Sequence, residues 1–344
     1  YQEHDVTEFL NTGGEGSKEN ELVFYLGQGW YCGRFLCENQ TQIYGEKPAV
    51  SWILQLKFAD GSEKEIHSGI DVDELESPYE YAGEYDGEIY FADGRNNVIG
   101  NPVAYTGTTD FALEKTLTEV RIQEEMPVKN VTVSEGKTIL DFGQNFAGIV
   151  EIHPEFFEGE TLTIRHGEIL NPDDSLYTAN LRKAKATVIY HAGAEKKTYR
   201  PRFTYMGFRY ALVVSYPGEL KTENFTAHTL HSAMERTGSI TCSNPLLNQL
   251  HHNYLWGMKG NFLDVPTDCP QRDERLGWTG DAQIFCRTAS YLSNTYTFFK
   301  KWLRDVEVDQ TPEGGVPHVV PNIEEGRTDG NWLLSQGPHS AAAW

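Results

Sequence analysis

The sequence contains no run of about 18 or more consecutive apolar residues, which excludes a membrane-spanning helix. Basic residues are also scarce, since 29 lysines and arginines face 50 aspartates and glutamates and the formal net charge at pH 7 is −21. Phosphate backbones are bound through basic surfaces, so nucleic acid is not an expected partner. This charge balance suits a soluble protein with an uncharged ligand.

Cysteine is sparse, with five residues in 344 and none in a Cys-x-x-Cys pair. An odd number without paired spacing argues against a disulfide framework and against a structural zinc site, and we expect no metal and no cofactor. The sequence also lacks a G-x-S-x-G motif, a phosphate-binding loop and a dinucleotide-type glycine run. Esterase, kinase and Rossmann-type readings therefore have no support.

The start of the sequence shows none of the usual N-terminal features. There is no initiator methionine, signal peptide or transit segment, and the first residues, YQEHDV, resemble the inside of a domain. We therefore expect a fragment of a longer protein, truncated within its first domain. The compartment stays open, with the cytoplasm preferred to secretion.

Apolar residues make up 39% of the chain and aromatic residues 12%, enough to build buried cores. Over residues 1–112 the pattern is typical of β-structure. Val50–Phe58 alternates apolar and polar positions with a period of two, and Ala59 to Gly61 has the composition of a hairpin turn. Tyr79–Asp93, rich in tyrosine and acids, is predicted as a loop or an edge strand. We predict an N-terminal β-sandwich here.

Residues 113–236 again carry short apolar runs separated by glycine, asparagine, aspartate and proline, as expected of a second antiparallel sandwich of the jelly-roll type. The predicted strands are Ile139–Phe142, Gly148–His153, Thr161–His166, Thr187–His191 and Tyr210–Tyr216.

From residue 237 to residue 344 the apolar period becomes helical. Asn244 is a predicted N-cap and Pro245 fits the first helical position. A second helix is predicted from about Asp281 and a third after a cap at Asn294. The change from strands to helices places a domain boundary between residues 230 and 240.

The densest polar segment, residues 264–281, lies between the first two helices and is called the acidic loop below. It holds five carboxylates, two arginines and one tryptophan, and its two prolines keep the backbone out of a helix. Glycoside hydrolysis uses this mixture, because one carboxylic acid protonates the leaving oxygen and another carboxylate acts across the sugar. Crowding and partial burial raise carboxyl pKa values. Trp278 is a candidate sugar platform, and Arg272 a candidate to orient a carboxylate or donate to a hydroxyl.

Two other interpretations of the acidic loop stay open. Its charges can form a self-satisfied ion-pair scaffold, or the carboxylates can bind a metal ion. The metal interpretation is the weaker, because the carboxylates do not follow the spacing of an EF-hand.

The acidic loop sequence DVPTDCPQRDERLGWTGDAQ resembles the corresponding motif of bacterial α-L-rhamnosidases, glycoside hydrolase family 78. Upstream, HDVTEFL and LGQGWYCGRF resemble that family's N-terminal β-sandwich, and ILDFGQNFAGIV, RHGEIL and YRPRFTYMGFRY resemble its middle β-sandwich. The resemblance covers nearly the whole chain in the family's order. It implies β-sandwiches followed by a catalytic (α/α)6 barrel, of which residues 237–344 are the first part.

By motif position, Glu274 resembles the family's general acid. Asp268, Arg272 and Asp281 resemble groups that hold rhamnose hydroxyls, and Trp278 resembles a wall of the sugar pocket. The family inverts configuration, which requires two carboxylates about 6.5–9.5 Å apart. The neighbouring Asp273 is the alternative acid, and the resemblance favours Glu274 over it.

The family's general base is a glutamate late in the barrel, and no motif in this chain matches it. The late glutamates in the sequence, Glu307, Glu313, Glu324 and Glu325, do not have the expected surroundings. The resemblance therefore implies an enzyme that removes terminal α-L-rhamnose, and a 344-residue chain that is inactive without the missing barrel segment. The alternatives are a carbohydrate-binding β-protein with an incomplete catalytic segment, and an (α/α)6 glycosidase or lyase acting on another sugar.

Overall fold

A computed structural model describes residues 1–11, 13, 19–35, 40–94, 97–104, 113–116, 118–156, 158–310, 312 and 314–323. Most of the regular structure is β-sheet, and the longer helices follow it in sequence. The helices are α1 (Gly29–Cys32), α2 (Pro245–Asn261), α3 (Thr279–Leu292) and α4 (Tyr296–Val308). The strands are β1 (Arg34–Phe35), β2 (Gln40–Thr41), β3 (Ile53–Lys57), β4 (Glu63–His67), β5 (Glu74–Leu75), β6 (Tyr79–Gly83), β7 (Gly87–Phe91), β8 (Val98–Gly100), β9 (Val120–Pro127), β10 (Asn130–Ser134), β11 (Lys137–Ile152), β12 (Thr161–Gly167), β13 (Thr187–His191), β14 (Met206–Ser215), β15 (Phe225–Ser232), β16 (Phe262–Leu263) and β17 (Val265–Pro266).

A nine-stranded sheet dominates the described part of the chain. Its strand order is β6-β7-β13-β12-β14-β11-β15-β9, with β10 also paired to β11. Neighbouring strands are antiparallel, except that β7 runs parallel to β13. The stretch from residue 79 to residue 93, predicted as a loop or an edge strand, forms β6 at the edge of this sheet and β7 inside it. β6 and β7 are therefore in the same sheet as strands that follow residue 112.

The principal core lies on one face of this sheet. Along β12 and β13 the burial alternates, so that Leu162, Ile164, Val188 and Tyr190 point into the core while the residues between them face outward. Phe208 of β14 is completely buried and packs at the centre of an aromatic cluster. This alternation is the signature of a half-buried strand and fixes which side chains reach the outer face.

The predicted strands are largely confirmed. The predicted strand over residues 187–191 coincides with β13, and those over residues 161–166 and 210–216 correspond to β12 and β14. The two predicted strands on either side of Gly143 are one long strand, β11, whose pairing with β14 is irregular between Asp141 and Phe146. The hairpin after β3 is also found, with Gly61 at a φ of 84° in the turn.

The three predicted helices are present as α2, α3 and α4. Asn244 caps α2 as predicted, since its side chain accepts a hydrogen bond from the amide of Leu246 at 2.9 Å. None of the helices in the described ranges is both long and apolar enough to cross a bilayer.

The helical faces divide into covered and uncovered parts. In α4, the apolar residues Phe298, Trp302 and Val306 are buried. The apolar residues in the first turns of α2 are exposed: Leu246, Leu247 and Leu250.

Candidate active site

The acidic loop is closed at its base by short strand pairing. β16 and β17, two residues each, pair as an antiparallel hairpin. Further along, Thr267 forms a β-bridge with Gly277, and the amide of Asp268 donates a hydrogen bond to the carbonyl of Leu276 at 3.2 Å. Asp264 and Arg275 adopt positive φ values of 65° and 54°, which let the chain turn back within a few residues. The residues between 268 and 276 are therefore held in a closed, tightly turned segment.

Arg275 fixes this loop to the β-sheet region. Its side chain is fully buried and donates hydrogen bonds to the carbonyls of Glu84, at 3.1 Å, and Tyr205, at 2.7 Å. The guanidinium also lies over the rings of Tyr85 and Tyr205, and the hydroxyl of Tyr85 donates to the carbonyl of Glu274 at 2.9 Å. These contacts place the backbone of Glu274 against the segment that joins β6 and β7.

Three of the predicted site residues meet in one ion-pair cluster. The Nε of Arg272 lies 2.8 Å from Oε2 of Glu274, and its Nη2 lies 3.3 Å from Oδ2 of Asp268. Arg182, which the sequence did not indicate, approaches the same Oε2 of Glu274 with its Nη1 at 2.8 Å. Two guanidiniums thus share one carboxylate oxygen of Glu274, whose side chain is only 12% exposed.

The carboxyl of Asp268 is perturbed by this arrangement. Burial, followed by the nearby charge of Glu274, raises the pKa of Asp268 above its usual range. The carboxyl accepts a hydrogen bond from the amide of Leu276 at 3.1 Å, which fixes its orientation. Burial also raises the pKa of the adjacent Cys269 thiol to about 12, so this cysteine is not an activated nucleophile.

Asp273 points away from this cluster. It is completely buried, and its Oδ2 lies 3.1 Å from Nη1 of Arg34, whose Nη2 lies 2.7 Å from Oδ1 of Asp86. Arg34 precedes the loop by more than 200 residues in sequence. Asp273 therefore takes part in a structural ion-pair chain between β1 and the acidic loop.

The remaining two predicted residues lie apart from the cluster. Trp278, immediately before α3, is half-buried and packs against the principal core, and its indole N–H is buried without a hydrogen-bond partner in the described ranges. Asp281 lies exposed in the first turn of α3 and shares none of the ion pairs described above.

One group of potential metal ligands occurs in the described part of the chain. Oxygen atoms of Asp268 and Glu274 and the sulfur of Cys269 lie within 4.8 Å of one another. The guanidinium of Arg272 contacts both carboxylates and already supplies positive charge at this place. This donor set does not fit a cation well.

Glu84 has an unusual environment beside the site. Burial raises its pKa to about 7, although the positive charge of Arg275 and a hydrogen bond with Trp30 lower it. The folded chain holds this proton at a pH where the unfolded chain has released it. Folding free energy contributed by this group is therefore lost as the pH rises from about 4.5 to about 7.

We expect Glu84→Gln to remove this pH dependence. The variant should match the parent in unfolding free energy near pH 4 and exceed it by about 3 kcal/mol near pH 8. Urea denaturation across this pH range measures the difference, with Glu158→Gln, at an exposed turn position, as the matched control. Parallel pH profiles for the parent and Glu84→Gln would contradict the assignment.

Family models match the chain in three consecutive stretches. Residues 235–339 match the bacterial α-L-rhamnosidase 6 hairpin glycosidase domain, which identifies the class as six-hairpin glycosidases. Residues 131–231 match the bacterial α-L-rhamnosidase concanavalin-like domain, and residues 1–139 match the α-L-rhamnosidase N-terminal domain. Together these matches show that the chain belongs to the bacterial α-L-rhamnosidase family.

Individual relatives agree with this assignment. An α-L-rhamnosidase of Streptomyces avermitilis is 39% identical, and the match covers 94% of this chain and 32% of the relative. An α-L-rhamnosidase of Formosa agariphila is 33% identical, and the match covers 96% of this chain and 37% of the relative. The crystal structure of the Streptomyces avermitilis enzyme complexed with L-rhamnose superposes with a TM-score of 0.80 at 38% identity, over 87% of this chain and 30% of that one. The crystal structure of the Aspergillus terreus enzyme superposes with a TM-score of 0.77 at 37% identity, and the match covers 87% of this chain and 36% of that one. The chain spans about a third of the length of these relatives.

Proposed function

We propose that the chain forms part of an α-L-rhamnosidase that removes terminal rhamnose with inversion of configuration. The observation that carries the proposal is the cluster of Asp268, Arg272 and Glu274 on a loop held rigidly against the sheet region. Such a loop keeps its charged side chains at fixed positions, as a catalytic acid requires.

Glu274 is the proposed general acid, and the geometry supports it over Asp273. A catalytic acid must reach the glycosidic oxygen, and Asp273 is completely buried and engaged by Arg34. Glu274 keeps part of its carboxylate accessible and is oriented by Arg272 and Arg182.

The other predicted residues are proposed to hold the sugar. The carboxyl of Asp268 is held in place by the amide of Leu276, and carboxyl oxygens accept hydrogen bonds from sugar hydroxyls. The indole N–H of Trp278, buried without a partner in the described ranges, is proposed to face a ligand oxygen. Asp281 is proposed to reach the sugar from α3.

The general base is proposed to lie on a segment outside this chain. Glu307 of α4 is exposed and pairs with Arg304 at 2.5 Å, which does not suit a base across the sugar. Glu313, Glu324 and Glu325 lie outside the described residues. The exposed leucines at the start of α2 support the proposal that further helices complete an (α/α)6 barrel. Two β-sandwiches, over residues 1–112 and 113–236, are proposed to precede this barrel.

The proposal is tested with an aryl α-L-rhamnoside and two proteins, the 344-residue chain and the complete enzyme that contains it. We expect hydrolysis by the complete enzyme and none by the chain alone, because the base is proposed to lie on a segment outside this chain. Proton NMR of the first product should show the inverted anomer. Turnover by the chain alone would contradict the proposed location of the base.

Two further controls separate this function from its alternatives. A panel of aryl glycosides identifies a six-hairpin enzyme that prefers another sugar. Rhamnose affinity that survives both Glu274→Gln and removal of residues 238–344, with no hydrolysis by the complete protein, would instead identify a carbohydrate-binding protein.

A further inference from the structure

The turn that carries Arg182 is strained. Arg182 follows a single 3-10 turn, Ala179–Leu181, and has a φ of 55° and a ψ of −113°. The amide of Ala184 donates to the carbonyl of Leu181 at 3.0 Å, so that Arg182 is the second of four residues in a β-turn. Its dihedral angles are those of a type II′ turn, in which glycine normally occupies this position. An arginine with these angles is therefore held there by its surroundings.

The surroundings hold this turn from two directions. Leu181 and Ala184, on either side of its exposed centre, are buried in the principal core. The amide of Lys183 donates to Oδ1 of the buried Asp273 at 3.4 Å. Because Asp273 is next to Glu274 in the chain, one carboxylate fixes both the turn and the backbone of the proposed acid. The turn is therefore held in place relative to the carboxyl that its arginine contacts.

Arg182 and Arg272 approach the same oxygen of Glu274. The Nη1 of Arg182 and the Nε of Arg272 each lie 2.8 Å from Oε2. In the part of the chain that the structure describes, Oε1 accepts no hydrogen bond. A guanidinium carries only donor hydrogens, so an oxygen that faces two of them is an acceptor and is a poor place for a further proton. In the acid form of Glu274 the proton is therefore expected on Oε1.

We propose that Arg182 is a positioning residue for the acid, which together with Arg272 confines the transferable proton to Oε1 of Glu274. This inference rests on the proposed function and gives the β-sheet region a part in the chemical step. As the bond between the anomeric carbon and the leaving oxygen breaks, its electron pair stays on that oxygen, which takes the proton from Oε1. Water adds to the anomeric carbon and gives its proton to the proposed base outside this chain. The carboxylate that remains on Glu274 is stabilised by the two guanidiniums.

Arg182→Gln in the complete enzyme tests this role with two substrates. For a rhamnosyl disaccharide, whose leaving group must be protonated, we expect kcat to fall by about tenfold to a hundredfold, the range for loss of one charge-assisted contact. A nitrophenyl rhamnoside needs no protonation, and its kcat should stay within about threefold of the parent value.

Arg182→Lys and Lys183→Gln are the matched variants. The lysine in Arg182→Lys keeps a positive charge within reach of Oε2 and should restore part of kcat for the disaccharide. Lys183→Gln removes a charge from the next position of the same turn, where the exposed side chain forms no ion pair with the described residues, and should leave both rates unchanged. A fall of the same size for both substrates in Arg182→Gln, or an equal effect in Lys183→Gln, would overturn the inference.

Arg182→Gly separates positioning from a role in folding. Glycine adopts these dihedral angles without strain, so the unfolding temperature of the complete enzyme should not fall, although kcat for the disaccharide falls as in Arg182→Gln. A clear loss of thermal stability in both variants, with the two substrates affected equally, would identify a structural role instead.

Failure of the inference can be told apart from failure of the proposed function. If the parent hydrolyses the nitrophenyl rhamnoside and Arg182→Gln hydrolyses the disaccharide at the parent rate, only the inference fails. If the panel of aryl glycosides identifies another sugar, the same pair of leaving groups on that sugar tests Arg182. If the parent hydrolyses no glycoside, the proposed function fails and this inference fails with it.

Discussion

Replacing Glu274 by glutamine in the complete enzyme is expected to lower kcat for a rhamnosyl disaccharide by about 10³-fold, since general acid catalysis contributes about 10²–10⁴-fold. Glutamine keeps the shape of the side chain and its contacts with Arg182 and Arg272, but it has no proton to donate. The loss should be smaller for a nitrophenyl rhamnoside, because that leaving group departs without protonation.

Glu307→Gln is the matched control, because it removes an exposed carboxylate from α4 and should leave kcat near the parent value. Measuring both substrates with both variants separates loss of acid catalysis from loss of binding. An equal reduction for the two leaving groups, or activity within a fewfold of the parent, would contradict the role given to Glu274.

Replacing Asp273 by asparagine is expected to act on stability and not on the chemical step. The buried carboxylate compensates Arg34, and removing one partner of a buried ion pair costs about 3 kcal/mol or more. Chemical denaturation of Asp273→Asn should show this loss, while kcat at a temperature well below unfolding should remain within about tenfold of the parent. The alternative role for Asp273 as the acid predicts the reverse, intact stability with abolished turnover.

A double-mutant cycle with Arg34→Gln isolates the pair. If the two side chains stabilise each other directly, the double variant should be less destabilised than the sum of the single variants. Strict additivity would contradict the ion pair between β1 and the acidic loop.

The sequence was sufficient to predict the strands and helices whose pattern involves only neighbouring residues. The period of two over residues 50–58, which contain β3, and the Asn244-Pro245 start of α2 are both visible in residues close in the chain. The position of β7 inside the sheet was harder to predict, because it depends on pairing with β13 about 100 residues later as well as with the neighbouring β6.

In the candidate site, too, some features could be predicted from neighbouring residues and others depend on the tertiary fold. The acidic loop was found from its local composition and its resemblance to a family motif. Arg182 and Tyr85 were missed because they lie in segments with no distinctive motif. Arg34 was missed although it lies in the quoted LGQGWYCGRF segment, because it reaches the loop only through the tertiary fold. Arg275 lies inside the loop, yet its burial beneath the ring of Tyr205 is not visible in the sequence.

The parallel pairing of β7 with β13 also bears on how such chains diverge. Because these strands come from opposite sides of residue 112, neither can be exchanged for a homologous segment without matching backbone register in the other. A recombination point between them would cut one hydrogen-bonded ladder in two. The segment that carries β6 and β7 is therefore expected to be inherited together with the sheet that follows it.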